Sequence, residues 1–460
     1  MMKNSIAVIL AAGGKDKMKS AYPRVMTRVL SRHMIEWVLC AAEKSGIEKI
    51  CVVVGENEKQ LENYVSGRAE SVIQFEQKGT AHAVMQASEF IRKYPDSDVL
   101  ILNGDVPLMD PATIHEAYDM HVENSNAVTA VSAIVDNPFG YGRILRDGNG
   151  KFSGIVEERD AESETKKISE ISSGTFWFKS GILLEALDNI DVRPDGTYNL
   201  VDAVTLMVAN GFDAGVYTTA NADVVLGANN RREVCLLNEI ARINVINNLL
   251  DMGVQIPCFD GVMIDPTVEI GFDTVIMPNT IIYGNTKIGR HCIIGPNSYI
   301  EDSVIGDESV LDNTKCRQSK VGAYASIGPF VQIRPNSVIE DKVHLGNFVE
   351  VKNSTIDDGT KVSHLTYVGD SDVGKNVNFG CGTVTVNYNG KAKYRTTIGD
   401  NVFIGCNTNL IAPVKVGDNS YTAAGSTITE DVPASSLGIA RARQINKEGW
   451  VARFKNRDKE

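Results

Sequence analysis

At 460 residues the chain is long for a single domain, and about 100 to 200 residues per domain predicts two or three. Its 43% hydrophobic and 23% charged residues are those of an ordinary globular protein, and with no run of about 18 apolar residues no membrane span is expected. A net charge of −12 argues against general nucleic-acid binding, which needs a basic surface to neutralise backbone phosphates.

The segment from Met1 to Ala12 reads as a strand entering a glycine loop rather than a secretory signal, so a cytoplasmic protein is expected. Strand-like runs SIAVILAA (5–12), KICVVVG (49–55) and DVLILNGD (98–105) alternate with helical stretches from Met34 to Lys44 and Thr80 to Arg92. Such alternation predicts an α/β, Rossmann-like domain with a mostly parallel sheet, helices on both faces, and ligands beyond the carboxyl ends of the strands. Ala12-Gly13-Gly14 and Asn103-Gly104-Asp105 both stand there. From Asn230 to about Met252, Val234, Leu237, Ile240, Ile243 and Leu250 recur at helical spacing and predict a connecting helix. The expected divisions are therefore residues 1–229, a linker helix over 230–252, and 253–460.

In the last division the period changes. Isoleucines stand six residues apart at 264, 270, 276, 282, 288, 294 and 300. The period returns at Val321, Ile327, Ile333, Ile339, Leu345 and Val351, and again at Ile398, Ile404, Leu410 and Val416. Neither helix nor simple strand alternation needs a branched apolar residue in every sixth place. A coil with three flat sides of six residues does, each side sending one aliphatic inward so that stacked coils share a continuous core. This is the hexapeptide-repeat pattern of a parallel β-helix. It slips by one residue at Ile300/Ile305 and Val351/Ile356, and Asn389 to Arg395 interrupt it; such interruptions mark loops leaving the stack, often on a binding face. The eight cysteines (Cys40, Cys51, Cys235, Cys258, Cys292, Cys316, Cys381, Cys406) lack CxxC spacing, which argues against a zinc site or a disulfide framework.

His364, in VSHLTYVGD, is a natural general base at neutral pH. Taken alone, a solvated corner histidine is the commoner case. Its surroundings change that: Arg334, Lys352, Lys393 and Arg395 share its stretch with Asn378, Asn387 and Tyr388. Positive groups and amides on one coil edge suit a sugar phosphate, through charge-assisted bonds.

RPNSVIEDKVHLGNFVEVKNS, KVSHLTYVGDSDVGKNVNFGCGTVTVNYNG and INKEGWV closely resemble the bacterial family of bifunctional N-acetylglucosamine-1-phosphate uridyltransferase/glucosamine-1-phosphate acetyltransferases (GlmU). The resemblance implies a left-handed β-helix, an exception to right-handed crossovers, and a homotrimer with active sites between subunits. It implies that His364 deprotonates the glucosamine amine for attack on acetyl-CoA, and that Arg334, Lys352, Tyr367, Asn378 and Lys393 bind the sugar phosphate. Cys381, Asn387, Tyr388, Cys406, Ala424 and Arg441 would meet acetyl-CoA, the two cysteines standing where other members carry other small residues.

In the first half QKGTAHAV (77–84), NGDVPL (103–108), GYGRI (140–144) and GANNRRE (227–233) resemble the family's nucleotidyltransferase signatures. Asp105 and Asn229 offer two oxygens to a hard cation, which with substrate phosphates is how Mg²⁺ is usually held. The resemblance gives contacts with UTP and the sugar to Leu10, Ala11, Ala12, Gly13, Arg24, Gln74, Gly79, Thr80, Gly142 and Glu157. The first loop departs from the family pattern, reading LAAGGKDKM and Pro23-Arg24 where LAAGxGTRM and a Pro-Lys pair are usual. Lys15 replaces a glycine, Asp16 a threonine, Lys17 an arginine and Arg24 a lysine; Asn103 and Ser172 stand where an aromatic and an asparagine are usual. Two other readings stay open on the sequence: an acetyltransferase whose nucleotidyltransferase half is altered, and a noncatalytic regulatory subunit of the same architecture.

Overall fold

The computed structural model describes residue 2, residues 4–13 and residues 18–457, with the side chains of 456 and 457 excepted. Gly14 to Lys17, where the first loop departs most, lie outside the described residues. The chain divides into two compact units, residues 1–243 and 244–460, the division falling inside the helix Arg231–Asp251.

The first unit is built on a nine-stranded sheet. Its strands are β1 (Ser5–Leu10), β2 (Lys49–Gly55), β3 (Glu70–Gln74), β4 (Asp98–Asn103), β5 (Val128–Ile134), β6 (Gly142–Arg146), β7 (Phe152–Val156), β8 (Glu170–Lys179) and β9 (Ala214–Thr219). The order is β9-β5-β8-β4-β1-β2-β3, with β6 on β8 and β7 on β6. β1 runs parallel to both β2 and β4, and β2 to β3, as βαβ alternation predicts. The expectation of a mostly parallel sheet needs correction on the other side, where β8 lies antiparallel to β4, β5 and β6. The β6–β7 hairpin returns the chain to the sheet in the reversed direction.

Period-two alternation splits the central strands between two cores. Ile6, Val8, Val99, Ile101, Phe176 and Phe178 face the helices Thr80–Gln86 and Leu200–Ala209. Ala7, Ile9, Leu100, Leu102 and Trp177 face Met34–Lys44 and Pro111–Glu123. With both faces covered, the open part of the sheet is its strand ends.

The second unit is a left-handed parallel β-helix of hexapeptide repeats. Ile264 pairs with Ile282 and Ile282 with Ile300, so one coil takes three hexads. Ile270 and Ile288 stack on the second side, Ile276 and Ile294 on the third. These side chains are buried throughout. Slips occur at Ile300/Ile305 and Val351/Ile356, as expected. Others, at Leu311/Cys316 and Cys316/Val321, escape the sequence pattern because Cys316 replaces a branched aliphatic in the inward place, and the slip at Val351/Ile356 recurs one coil on at Val368/Val373. Between the legible runs the core is carried by Val362, Val368, Val373, Phe379 and Thr385, which pair forward with no break in the stack.

Candidate functional site

In the first unit the strands turn opposite ways from β1: β2 and β3 lie to one side, β4 and β8 to the other. Ligand crevices form at such a switch point, outside the carboxyl ends. Leu10 and Asn103 end β1 and β4 there, and a cavity of about 430 Å³ opens beyond them, lined among others by Thr80, Asp105, Gly142, Glu157 and Asn229. A second cavity of about 220 Å³ shares Leu10, Thr80, Asn103 and Asp105 and adds Ala12, Gly13, Arg24, Gln74 and Gly79. Ala11 is the exception among the expected residues, its methyl being buried in the core.

Arg24 joins the two expected cation ligands. Its Nη2 lies 2.8 Å from the Asp105 carboxylate and its Nη1 donates to Asn229 Oδ1 at 2.6 Å. Both oxygens therefore face one cationic group, the Arg24 guanidinium, each on its own nitrogen. Burial pushes the Asp105 carboxyl above the usual range, with the charge of Arg24 working against it. Gly13 leaves the space Arg24 uses, since a Cβ there would meet Nη2 at 2.5 Å.

Asn229 is aimed by the start of the helix Arg231–Asp251. Asn230 caps it, its Oδ1 accepting from the Glu233 amide at 3.1 Å, while the Glu233 carboxylate accepts from the Asn229 amide at 2.6 Å. Glu233 thus acts as a positioning residue that sequence reasoning missed, although GANNRRE carries the capping signal. Across the crevice Gly79 sits at φ +99°, and a Cβ would lie 2.4 Å from the Tyr198 carbonyl. The buried Gln74 amide donates to the Gly79 carbonyl at 3.2 Å, and the Thr80 hydroxyl accepts from the Leu200 amide at 2.9 Å. Glu157 is partly buried, which raises its carboxyl pKa, with Arg193 and Arg159 opposing. Asn103 and the altered EISSG segment meet: the Asn103 amide donates to the Ser173 carbonyl at 3.4 Å, and Gly174 leaves it room.

In the second unit two long strands, β10 (His344–Lys352) and β11 (Lys361–Gly369), carry the chain across a corner. Val362 pairs with Phe379 and Tyr367 with Val384, so the register between them sets His364 beside Cys381 on the next coil. Phe379 pairs with Ile404 and the Asn407 amide donates to the Cys381 carbonyl at 2.8 Å, which sets Cys381 beside Cys406. The Gly425 amide donates to the Cys406 carbonyl at 2.8 Å, and so Ala424 follows. His364, Cys381, Cys406 and Ala424 form one column on successive coils. The Arg441 side chain reaches its end, 3.8 Å from where a Cβ on Gly425 would lie.

Past the corner, the hub is Asp370, a residue not singled out from sequence. It pairs with Lys352 at 3.3 Å and accepts from Asn353 at 2.5 Å and from Asn387. Burial alone would raise its carboxyl, but these three bonds outweigh it and hold the group below the usual carboxylate range. Asn387 also lies 3.4 Å from the Tyr367 hydroxyl. The insertion folds as a small hairpin in which Tyr388 bridges Lys393 and the Tyr394 amide donates to the Asn387 carbonyl at 2.9 Å. This brings Lys393 against Lys352, whose contact and charge push the Lys393 ammonium below the ordinary lysine value. Two cations facing each other suit an anion. Arg334, on a preceding coil, is paired with Glu350 at 2.8 Å. Arg395 instead fastens the hairpin base, bonding Asp372 and the carbonyls of Asn353 and Ser371. Asn378 stands on the face before the corner, in the row of Lys361 and Phe403.

Among known proteins, residues 6–223 match the nucleotidyl transferase family, and 267–302 and 395–430 match the bacterial transferase hexapeptide (six repeats) family. Proteins called bifunctional protein GlmU from Caldanaerobacter subterraneus subsp. tengcongensis and Thermoanaerobacter pseudethanolicus are 47% and 45% identical to this chain over 98% of both partners. One of the same name from Clostridioides difficile is 42% identical over 99% of each. Likeness of that extent, spanning both units and both crevices, means that the chain belongs to the bifunctional GlmU family.

Proposed function

We propose that the β-helix unit N-acetylates glucosamine-1-phosphate with acetyl-CoA, and that the first unit transfers uridylyl from UTP to the N-acetylglucosamine-1-phosphate so made. The chain is a transferase of two activities, and nothing favours an altered or noncatalytic half. The observation that carries the assignment of residues is the column at the β11 corner, where an exposed histidine begins a row of small side chains beside a cationic cluster.

In the acetyl transfer, His364 takes a proton from the amine of the sugar, whose nitrogen bonds to the thioester carbon as the C–S bond breaks and coenzyme A leaves as its thiol. Lys352, Lys393 and Arg334 hold the phosphate, Tyr367 and Asn378 the sugar, and Asn387 and Tyr388 join the small-residue column and Arg441 in taking acetyl-CoA. Pure protein supplied with acetyl-CoA and glucosamine-1-phosphate should form product, and His364→Ala should slow this about 10²- to 10⁴-fold while leaving uridylyl transfer alone. A His364→Ala protein with full acetyl transfer would remove the base.

In uridylyl transfer a phosphate oxygen of the sugar attacks the α-phosphorus of UTP and pyrophosphate leaves. Asp105 and Asn229 fit Mg²⁺, because their oxygens already face one cationic group; bound there it would stabilise charge on the phosphates. Gln74, Gly79 and Thr80 shape the nucleotide side of the crevice, and Gly142 and Glu157 the sugar side. The chain acts in the cytoplasm, and no helix among the described residues is long and apolar enough to cross a membrane.

The working form is a homotrimer. Phe330, Phe348 and Leu365 stand 56%, 57% and 59% exposed beside the His364 corner, each at positive φ, where bulky residues are rare. The two rings stack at 5.3 Å. A second copy on this apolar ladder would also bring residues to the sugar-phosphate set, which in one chain is divided by the corner.

A further inference from the structure

We propose that Cys381 and Cys406 are a reversible redox modification site, closing to a disulfide across two coils of the acetyl-CoA face. The two residues hold the same place in their hexads. Each follows a glycine and precedes a residue in left-handed conformation, Gly382 at φ +77° and Asn407 at φ +58°. The same backbone sends both side chains the same way. That equal places on neighbouring coils come into contact is visible at another corner, where Asn376 bonds Asn401 at 3.4 Å and Asn401 bonds Asn419 at 3.3 Å. Neighbouring strands lie about 4.8 Å apart, inside the Cα separation of roughly 4.4 to 6.8 Å that a disulfide accepts. All eight cysteines are free; Cys381 is partly exposed and Cys406 exposed, whereas Cys51, Cys292 and Cys316 are buried.

The column also supplies a base. Register places His364 next to Cys381 in the column, and we assign its imidazole to take the thiol proton, since the thiolate is the reactive form. A peroxide is the oxidant. One thiolate attacks the O–O bond, giving a sulfenic acid and water; the second attacks that sulfur and expels a second water. Two thiols and one hydrogen peroxide thus become one disulfide and two waters, and a dithiol reductant reverses the step.

The consequence for activity rests on the acetyl-CoA reading above: a disulfide in the column would draw the small side chains together and block the thioester. The test is full-length protein treated with hydrogen peroxide, with and without acetyl-CoA, then digested for mass spectrometry. A Cys381–Cys406 cross-linked peptide is expected within one chain, so non-reducing electrophoresis keeps the 50.0 kDa band. Acetyl transfer should fall at least tenfold and return with dithiothreitol, uridylyl transfer in the same sample should hold, and acetyl-CoA should slow the loss. Cys381→Ala and Cys406→Ser should each abolish the cross-link and the peroxide sensitivity, measured as the ratio of oxidised to reduced rate for that variant. Absence of the cross-linked peptide, or its replacement by an interchain band, would overturn the modification site. A cross-link that leaves acetyl transfer unchanged would instead overturn its blocking role and the acetyl-CoA column together.

Discussion

Arg24 is a cation where a divalent cation is expected, and the two cannot share Asp105 and Asn229. Replacing it with methionine should tighten Mn²⁺ binding without nucleotide, read by titration calorimetry, because the ion no longer competes with a guanidinium. Uridylyl transfer should fall in the same variant as a positive group near the phosphates is lost. Unchanged ion affinity would show that Arg24 leaves the ligands at no cost. Since burial raises the Asp105 carboxyl, ion binding should weaken on acidification sooner than an ordinary aspartate would allow. Asp370 has the opposite sign. Its folded-state value is depressed, so the stability it contributes is fully present above the ordinary value near about 4 and is lost as pH falls through the lower folded value. Thermal unfolding of Asp370→Asn beside the native chain should show a gap at pH 7 that closes below pH about 4; a gap independent of pH would mean that shape rather than charge is at stake.

The hairpin around Tyr388 and Lys393 is an element whose function separates from its structure. Pairing is continuous across it, Val373 with Ile398 and Thr385 with Leu410, so the coils do not depend on its tip. Lys393→Ala should therefore raise KM for glucosamine-1-phosphate about ten- to hundredfold, as expected for one charge-assisted bond of about 1.5 to 3 kcal/mol, with the melting temperature unmoved. A change confined to Tm would make the lysine structural. Elements differ in how legible they are. The hexads show in the sequence because each inward place repeats one physical demand, a branched apolar side chain, and they fade where Cys316 or Thr385 meets that demand another way. The Thr385 hydroxyl accepts from the Gly369 amide at 2.7 Å, satisfying in the core what an aliphatic would not need. β8 lies outside the runs that the sequence marks as strands, and its direction is set by the preceding hairpin and by no local pattern.

At the scale of the whole molecule, the sites separate into parts that sequence reveals and parts that only folding assembles. His364, Asp105 and Gly79 are legible from motif and strand position. The partnership of Arg24 with Asp105 and the gathering of Lys352, Asn353 and Asn387 around Asp370 are not, since each joins groups remote in the chain through side-chain choices without period. Assembly is the remaining level. Leu365→Asp would place a charge on the exposed apolar ladder and should convert the proposed trimers to monomers in light scattering, with acetyl transfer lost and uridylyl transfer kept. A variant that stays trimeric would move the interface elsewhere.

The unbroken pairing on either side of the hairpin has a practical reach. A coil that can release a loop and resume in register behaves as a rack with fixed slots, where cargo hung from one slot leaves its neighbours where they were. New sequence grafted at the tip, between Asn389 and Lys391, would be carried beside the column without displacing it. That corner is thus a natural mounting point for a peptide ligand or an optical reporter, held at a known position along the stack.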